Sequence, residues 1–212
     1  MSVREQLGRK FSRLTTNVVV RRPGLWRLFR GPLRGLFGRL AGQWDEIRTA
    51  NPHHLAALEA ALNAIDPPPR RALDLGTGTG AAAVVLARRF PEAEVEGADL
   101  AAPMIEEARR KAPPELAGRL RFEVADASRL RYPDGGFELV TLANMIPFFD
   151  ELVRVVAPGG FVLFSFSRGS ETPIFVPFER LRRELEPRGF SGFTEFAAGP
   201  ATALLARKGE DR

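Results

Sequence analysis

The sequence predicts a doubly wound α/β domain, a mostly parallel sheet with helices on both faces. Three observations predict it. Strand-like apolar runs alternate with helix-like runs from residue 51 to residue 186. The first strand-like run, Arg71 to Leu75, stops at three alternating glycines, Gly76-Thr77-Gly78-Thr79-Gly80, and a helix-forming run follows at once. The chain then closes with two extended runs split by Gly199-Pro200, a hairpin that finishes the sheet without a crossover helix. A length of 212 residues suits one such domain with an appendage.

Charge marks the appendage. Residues 1–43 carry ten Arg/Lys and one acid, a net +9, whereas residues 44–212 carry 21 bases and 25 acids, a net −4. The chain is therefore divided into a basic amphipathic arm or lid, 1–43, and a ligand-binding body, 44–212. Within 24–41, helical spacing puts Leu25, Phe29, Leu33, Leu36 and Leu40 on one side and Arg27, Arg30 and Arg34 opposite. Gly31-Pro32 is expected to split this stretch into two short helices. Residues 1–22 read as basic and polar. Their Val18-Val19-Val20 run is too short and too late for a secretory core, and the Arg-rich, acid-poor start shares its composition with organelle transit peptides. The arm fits a lid over the body or a membrane-surface element; nucleic acid, the less favoured partner, stays open because basic side chains alone do not separate lipid phosphate from backbone phosphate.

The body follows in order. Gln43-Trp44-Asp45-Glu46 reads as a hinge. A helix is expected from Asn51 to Ile65, ended by Asp66-Pro67-Pro68-Pro69, with His53 and His54 in its first turn. They are the only histidines, and either can titrate near neutrality. Strands follow at Arg71–Leu75, Glu94–Asp99, Arg121–Ala125, Phe137–Ala143 and Phe161–Phe166. Helices are expected over Ala81–Ala87, from Pro103 through Ala108, over Glu151–Val156 and over Pro177–Glu186, with Ala157-Pro158-Gly159-Gly160 as a stop. The absence of cysteine excludes disulfides, thiolate metal sites and thiol nucleophiles, and no run of eighteen apolar residues is present. The expected location is the cytoplasm, with peripheral membrane contact through residues 1–43 as one reading of the arm.

In an open α/β sheet, ligands bind outside the carboxyl ends of strands near the switch point. Three strand ends gather polar groups there: the glycine turn, Asp99 and Asp126. Glycines permit the turn's unusual φ values and let a ligand approach the backbone, and the next helix offers unpaired N–H groups. An acid in the position of Asp99 can take both ribose hydroxyls. Asp126-Ala127-Ser128 can reach an adenine edge, and Asp74 can face the amino end of a zwitterion.

Leu73–Gly80, Gly97-Ala98-Asp99, Val124-Ala125-Asp126-Ala127, Phe137-Glu138-Leu139-Val140 and Ala157-Pro158-Gly159-Gly160, in that order, resemble the motif series of class I S-adenosylmethionine-dependent methyltransferases. The resemblance covers roughly residues 44–208. It implies a Rossmann-like sheet of seven strands with one antiparallel strand in the terminal hairpin, and S-adenosylmethionine as methyl donor. It also implies that Gly76, Gly78 and their neighbours hold the methionine part, Asp99 the ribose and Asp126-Ala127 the adenine. The candidate cofactor set is Asp74, Gly76, Thr77, Gly78, Gly80, Asp99, Leu100, Met104, Asp126, Ala127 and Asn144. A dinucleotide fingerprint wants its third glycine at position 81, which is alanine, and this disfavours a nicotinamide enzyme. A binding-only relative of the same fold is the other alternative.

Asn144, ending the fourth strand, is the candidate catalytic residue and the position expected to face the acceptor. The sequence there, Asn144-Met145-Ile146-Pro147-Phe148-Phe149, lacks the Asn-Pro-Pro-aromatic pattern of enzymes that methylate nucleobase or glutamine amino groups. A wall of Met145, Ile146, Phe148, Phe149, Trp44 and Phe175 would be apolar and suits a small or lipid-like acceptor. No carboxylate cluster beyond the strand-end acids points to a metal. The acceptor atom and the oligomeric state stay open.

Overall fold

The computed structural model describes residues 3–49 and 53–210. Its body is a seven-stranded sheet built from β1 (Arg71–Leu75), β2 (Glu94–Asp99), β3 (Leu120–Val124), β4 (Phe137–Ala143), β5 (Val156–Phe166), β6 (Phe190–Ala198) and β7 (Ala201–Lys208). The strand order is β3-β2-β1-β4-β5-β7-β6. Strands β1 to β5 pair in parallel; β7 pairs antiparallel with both β5 and β6. The expected single antiparallel strand in the terminal hairpin is therefore β7.

Alternation along the strands supplies both cores. Leu73, Val140, Val162 and Phe164 point into one apolar layer, and Ala72, Leu139, Phe161 and Leu163 into the other. The second layer is roofed by α4 (Ala56–Leu62), α5 (Ala81–Arg89) and α6 (Ala102–Lys111). The first is roofed by α7 (Phe149–Val155) and α8 (Phe178–Leu185) and by residues of the N-terminal arm, Val19, Val20 and Leu33. Helix α5 is alanine-rich on its inner side, so it lies close to the sheet with Ala82, Ala83, Leu86 and Ala87 buried.

The arm departs from expectation. Residues Val3–Arg21 form one helix, α1, where the sequence reading had found only a polar stretch. Its inner residues Thr15, Thr16, Val19 and Val20 are buried, and β-branched side chains of this kind have weak helix propensity on their own; burial compensates. Helix α2 runs unbroken from Trp26 to Leu40 through Pro32. The proline removes the N–H that would meet the Leu28 carbonyl, but Leu28 itself is 61% exposed. The expected hinge at 43–46 is helical instead, a 3-10 turn at Ala41–Gln43 leading into α3 (Trp44–Thr49). Asp45 explains the order: its carboxylate accepts from the Thr79 hydroxyl at 2.6 Å and meets the Lys111 ammonium at 2.8 Å. The helix expected from Asn51 is seen over Ala56–Leu62, and its first two residues lie outside the described residues.

Ala157-Pro158-Gly159-Gly160 does not stop the chain between helix and strand. It is the first part of β5, paired through Val156 with Phe137. Gly160 fits because the backbone oxygens of Ala157 and Glu138 would each stand 2.9 Å from a Cβ there.

Candidate functional site

The carboxyl ends of β1, β2 and β4 open into one cleft, at the point where the chain turns from building the sheet on one side of β1 to building it on the other. The cleft encloses about 1120 Å³ of space when its open mouth is counted.

The glycine turn forms its floor. The N–H groups of Gly76 and Thr77 both donate to the Ala98 carbonyl, at 2.8 and 3.0 Å, which pins the turn to the end of β2. Gly76 and Gly78 have φ of +71° and +55°, a region closed to most side chains. The cradle is also tight: a Cβ on Gly76 would lie 2.6 Å from Met145 Cγ, and one on Gly78 would lie 3.2 Å from Trp44 Nε1.

Asp74 is fully buried at the base of the cleft. Register places it opposite Thr141 of β4, whose hydroxyl donates to Oδ1 at 2.8 Å. Oδ2 is buried and makes no hydrogen bond of ordinary geometry, although the Thr77 side chain and the Ala83 N–H stand near enough to the carboxylate to oppose its rise. Burial pushes this carboxyl up from 3.8 to about 6, against the opposing hydrogen bonds. A buried carboxylate with an oxygen left over at a cleft wall can receive a cationic group.

Asp99 ends β2 and is bound by backbone on both oxygens: Gly78 N–H donates to Oδ2 at 3.0 Å and Ala101 N–H to Oδ1 at 2.9 Å. Burial still pushes its carboxyl up. A carboxylate has about four acceptor sites, so this one is oriented and keeps room for a vicinal diol. Leu100, Met104, Thr77 and Ala127 also line the cleft. Asn144 lines it as well and stands at φ +53°, the only non-glycine residue with positive φ among the described residues. Its Oδ1 accepts from the Ser167 N–H at 2.9 Å, which leaves the amide nitrogen as its donor end.

Two expected members are not among the residues lining the cleft, although Asp126 stands between two that are. Gly80 caps α5 at φ +89°, and a Cβ there would lie 2.7 Å from the Phe122 ring; it lets helix and sheet approach and does not line the cleft. Asp126 lies just behind the lining residues Ala125 and Ala127. Its Oδ1 accepts from Ser128 N and Oγ, at 3.0 and 2.7 Å, and from Trp26 Nε1 at 2.9 Å. Arg30 approaches its Oδ2 at 3.7 Å.

The apolar wall is only partly as expected. Met145, Ile146, Phe148 and Trp44 line the cleft. Phe149 is instead in the core under α7, and Phe175 packs on Phe166 with ring centroids 4.9 Å apart. Ile174 takes the place beside them. Of the arm's share, sequence reasoning had only Leu33 on its apolar stripe and missed Trp26 and Phe37; all three line the cleft. Trp26 stacks edge-on against Phe148 at 5.2 Å, and Phe37 against Trp44 at 5.5 Å. At 100° per residue these three fall within about 40° of one another, so a wider stripe including the aromatics would have found them. Arg30, which the sequence had placed opposite, stays exposed but lies near enough on the helix to approach Asp126. His54 and Leu55 line the far side.

The residues present fit an adenosyl sulfonium amino acid: a buried acid for its ammonium, a glycine cradle for its backbone-like part, an oriented acid for its ribose. A family model described as a methyltransferase domain matches residues 72–160. A demethylmenaquinone methyltransferase of Thermus thermophilus is 50% identical over 105 residues, covering 46% of this chain and 47% of that protein. A malonyl-[acyl-carrier protein] O-methyltransferase of Geobacter sulfurreducens is 32% identical over 193 residues, covering 85% and 70%. The chain spans about half the length of several curated relatives it matches, such as the Thermus protein. Among solved structures, a SAM-dependent methyltransferase from Aquifex aeolicus superposes with a TM-score of 0.63 at 17% identity, covering 77% of this chain and 97% of that one. A phosphoethanolamine N-methyltransferase 2 of Haemonchus contortus in complex with S-adenosyl-L-methionine gives 0.60 at 18%, covering 74% and 52%. The glycine cradle, the two strand-end acids and this sequence relationship agree, and the chain belongs to the class I S-adenosylmethionine-dependent methyltransferases.

Proposed function

We propose that this chain transfers the methyl group of S-adenosylmethionine to a small, apolar or lipid-like acceptor. The observation that carries the reading is the make-up of the cleft lining. Asp74, the glycine turn and Asp99 supply polar groups, and Trp26, Phe37, Ile146 and Phe148 supply an apolar, largely aromatic surface. When bound, the donor supplies an already activated methyl group on sulfur. The chain's own residues then have three tasks. Asp74 Oδ2 would take the ammonium, Asp99 the ribose hydroxyls and Asp126 the adenine edge. The aromatic wall would orient a flat or chain-like acceptor and keep water out, so that much of the rate comes from alignment. Asn144 would present its amide donor to the acceptor.

The names of two relatives bracket the acceptor: one acts on demethylmenaquinone, the other on a malonyl group carried by a protein. The aromatic wall and the lack of arginine or lysine among the lining residues favour an apolar ring over a free carboxylate. Contact of residues 1–43 with a bilayer, supported by their net charge of +9, would bring such an acceptor within reach. The test is transfer of radiolabelled methyl from S-adenosylmethionine to a short-chain demethylated quinol and, in parallel, to a malonyl thioester. Label on the quinol supports the reading; label on the thioester alone overturns the acceptor class. Binding of the donor with no transfer to either would favour a non-catalytic relative.

A further inference from the structure

Helix α2 has two unlike sides. Trp26, Leu33 and Phe37 face the cleft, while Leu28, about half a turn away, is 61% exposed. Helix α1 exposes Leu14 at 59% and Phe11 at 38%. Among the described residues the exposed large hydrophobics are these three and Val124. Val124 is itself beside the arm, in a shallow groove shared with Gly31, Arg34 and Gly35 of α2. Exposed apolar surface is thus concentrated on one appendage and its margin. The basic charge is concentrated there too: Lys10, Arg21, Arg22 and Arg27 are all exposed, and no acid occurs between Glu5 and Asp45.

We propose that the outer surface of α1 and α2, formed by Lys10, Phe11, Leu14, Arg21, Arg27 and Leu28, docks on an anionic lipid bilayer, and that α2 joins this surface to the cleft. The charge and the leucines have to be explained together. An anionic bilayer accepts both, the cations at its headgroups and the apolar side chains at the acyl boundary. A nucleic acid satisfies the cations alone and gives exposed leucines nothing to bury against. A second copy of the same surface would set two strongly basic faces against each other. The cleft-facing side of α2 then gives docking its use: the helix lying on the bilayer is also a wall of the cleft. This coupling rests on the lipid-like acceptor proposed above; the docking itself does not.

The test is flotation of the full chain with phosphatidylglycerol vesicles, with phosphatidylcholine vesicles and with a duplex oligonucleotide, at low and raised salt. Binding to anionic vesicles is expected, and Leu14→Ser with Leu28→Ser should weaken it about tenfold while leaving oligonucleotide binding unchanged. Calorimetry with S-adenosylhomocysteine checks that the double variant keeps its fold and its cofactor site. Three results overturn the proposal: no preference for anionic over neutral vesicles, vesicle binding indifferent to the two serines, or oligonucleotide binding tighter than vesicle binding. Docking without methyl transfer to any apolar acceptor would sink the acceptor reading and leave the surface standing.

Discussion

Asp74→Asn separates a carboxylate kept for a ligand from one kept for the fold. Asp74 is fully buried, one oxygen bonded to Thr141 and the other making no hydrogen bond of ordinary geometry. Its carboxyl is pushed up from 3.8 to about 6, by burial first and by Asp99 in lesser part. Folding therefore favours the protonated form. The stability this contributes is full below pH 3.8 and is lost as pH rises through 6. A rise from 3.8 to about 6 corresponds to on the order of 3 kcal/mol. Removing the charge should leave the free protein as stable as before or more stable at pH 7, by up to that amount. Ligand binding should respond in the opposite direction. An ammonium needs the ionised form, and at pH 5 only about a tenth of the free protein has it; affinity for S-adenosylhomocysteine should fall roughly tenfold from pH 7 to pH 5. The asparagine variant loses a charged hydrogen bond of about 1.5–3 kcal/mol, so its affinity should drop by between about tenfold and a hundredfold and lose its pH dependence below 7. Calorimetric titration across pH 5–8, with thermal unfolding of the free protein, reads both. Equal wild-type affinity at pH 5 and pH 7, or a variant that binds as tightly as wild type, would refute the reasoning.

Other perturbations reach different parts of the site. Trp26→Phe keeps the ring against Phe148 but removes the donor to Asp126 Oδ1; cofactor affinity should fall about fivefold, and the effect should vanish in an Asp126→Ala background if the indole acts by orienting that carboxylate. Gly97→Ala should cost about 1–3 kcal/mol in urea unfolding, because its Cβ would lie 2.6 Å from Phe122 and 2.8 Å from Thr77 Oγ1; an unchanged midpoint would show that β2, the glycine turn and β3 are less tightly packed than described. Asn144→Ala should abolish turnover, with cofactor affinity lowered only severalfold, read by comparing steady-state rates with calorimetry; full activity would remove Asn144 from the acceptor side.

The body was legible in the sequence because its signals are local. A strand that stops at glycines, acids at strand ends and a hairpin after the last helix each follow from a few adjacent residues, and Asp74, Asp99 and Asn144 fall where those signals put them. The arm was less legible because its structure is decided by packing. Thr15, Thr16, Val19 and Val20 gain helical order from burial and not from propensity, and Pro32 is tolerated where Leu28, whose carbonyl loses its partner, is an exposed residue. The same holds for the site's far wall. Nothing local distinguishes Trp26, which lines the cleft, from Phe149, which does not; only the tertiary placement of α2 and α7 does. Gly80 shows the converse, a motif residue whose reason is helix–sheet contact with Phe122.

The central claim is that the cradle after β1, with Asp99 at the end of β2, holds an adenosyl sulfonium compound. Calorimetric titration of the full chain with S-adenosylmethionine, beside NAD and beside Asp99→Ala, tests it most directly. Saturable binding of S-adenosylmethionine, no saturable binding of NAD, and a loss of affinity of about a hundredfold in the variant are expected. Saturable binding of NAD alone, or an affinity for S-adenosylmethionine indifferent to Asp99, would contradict it.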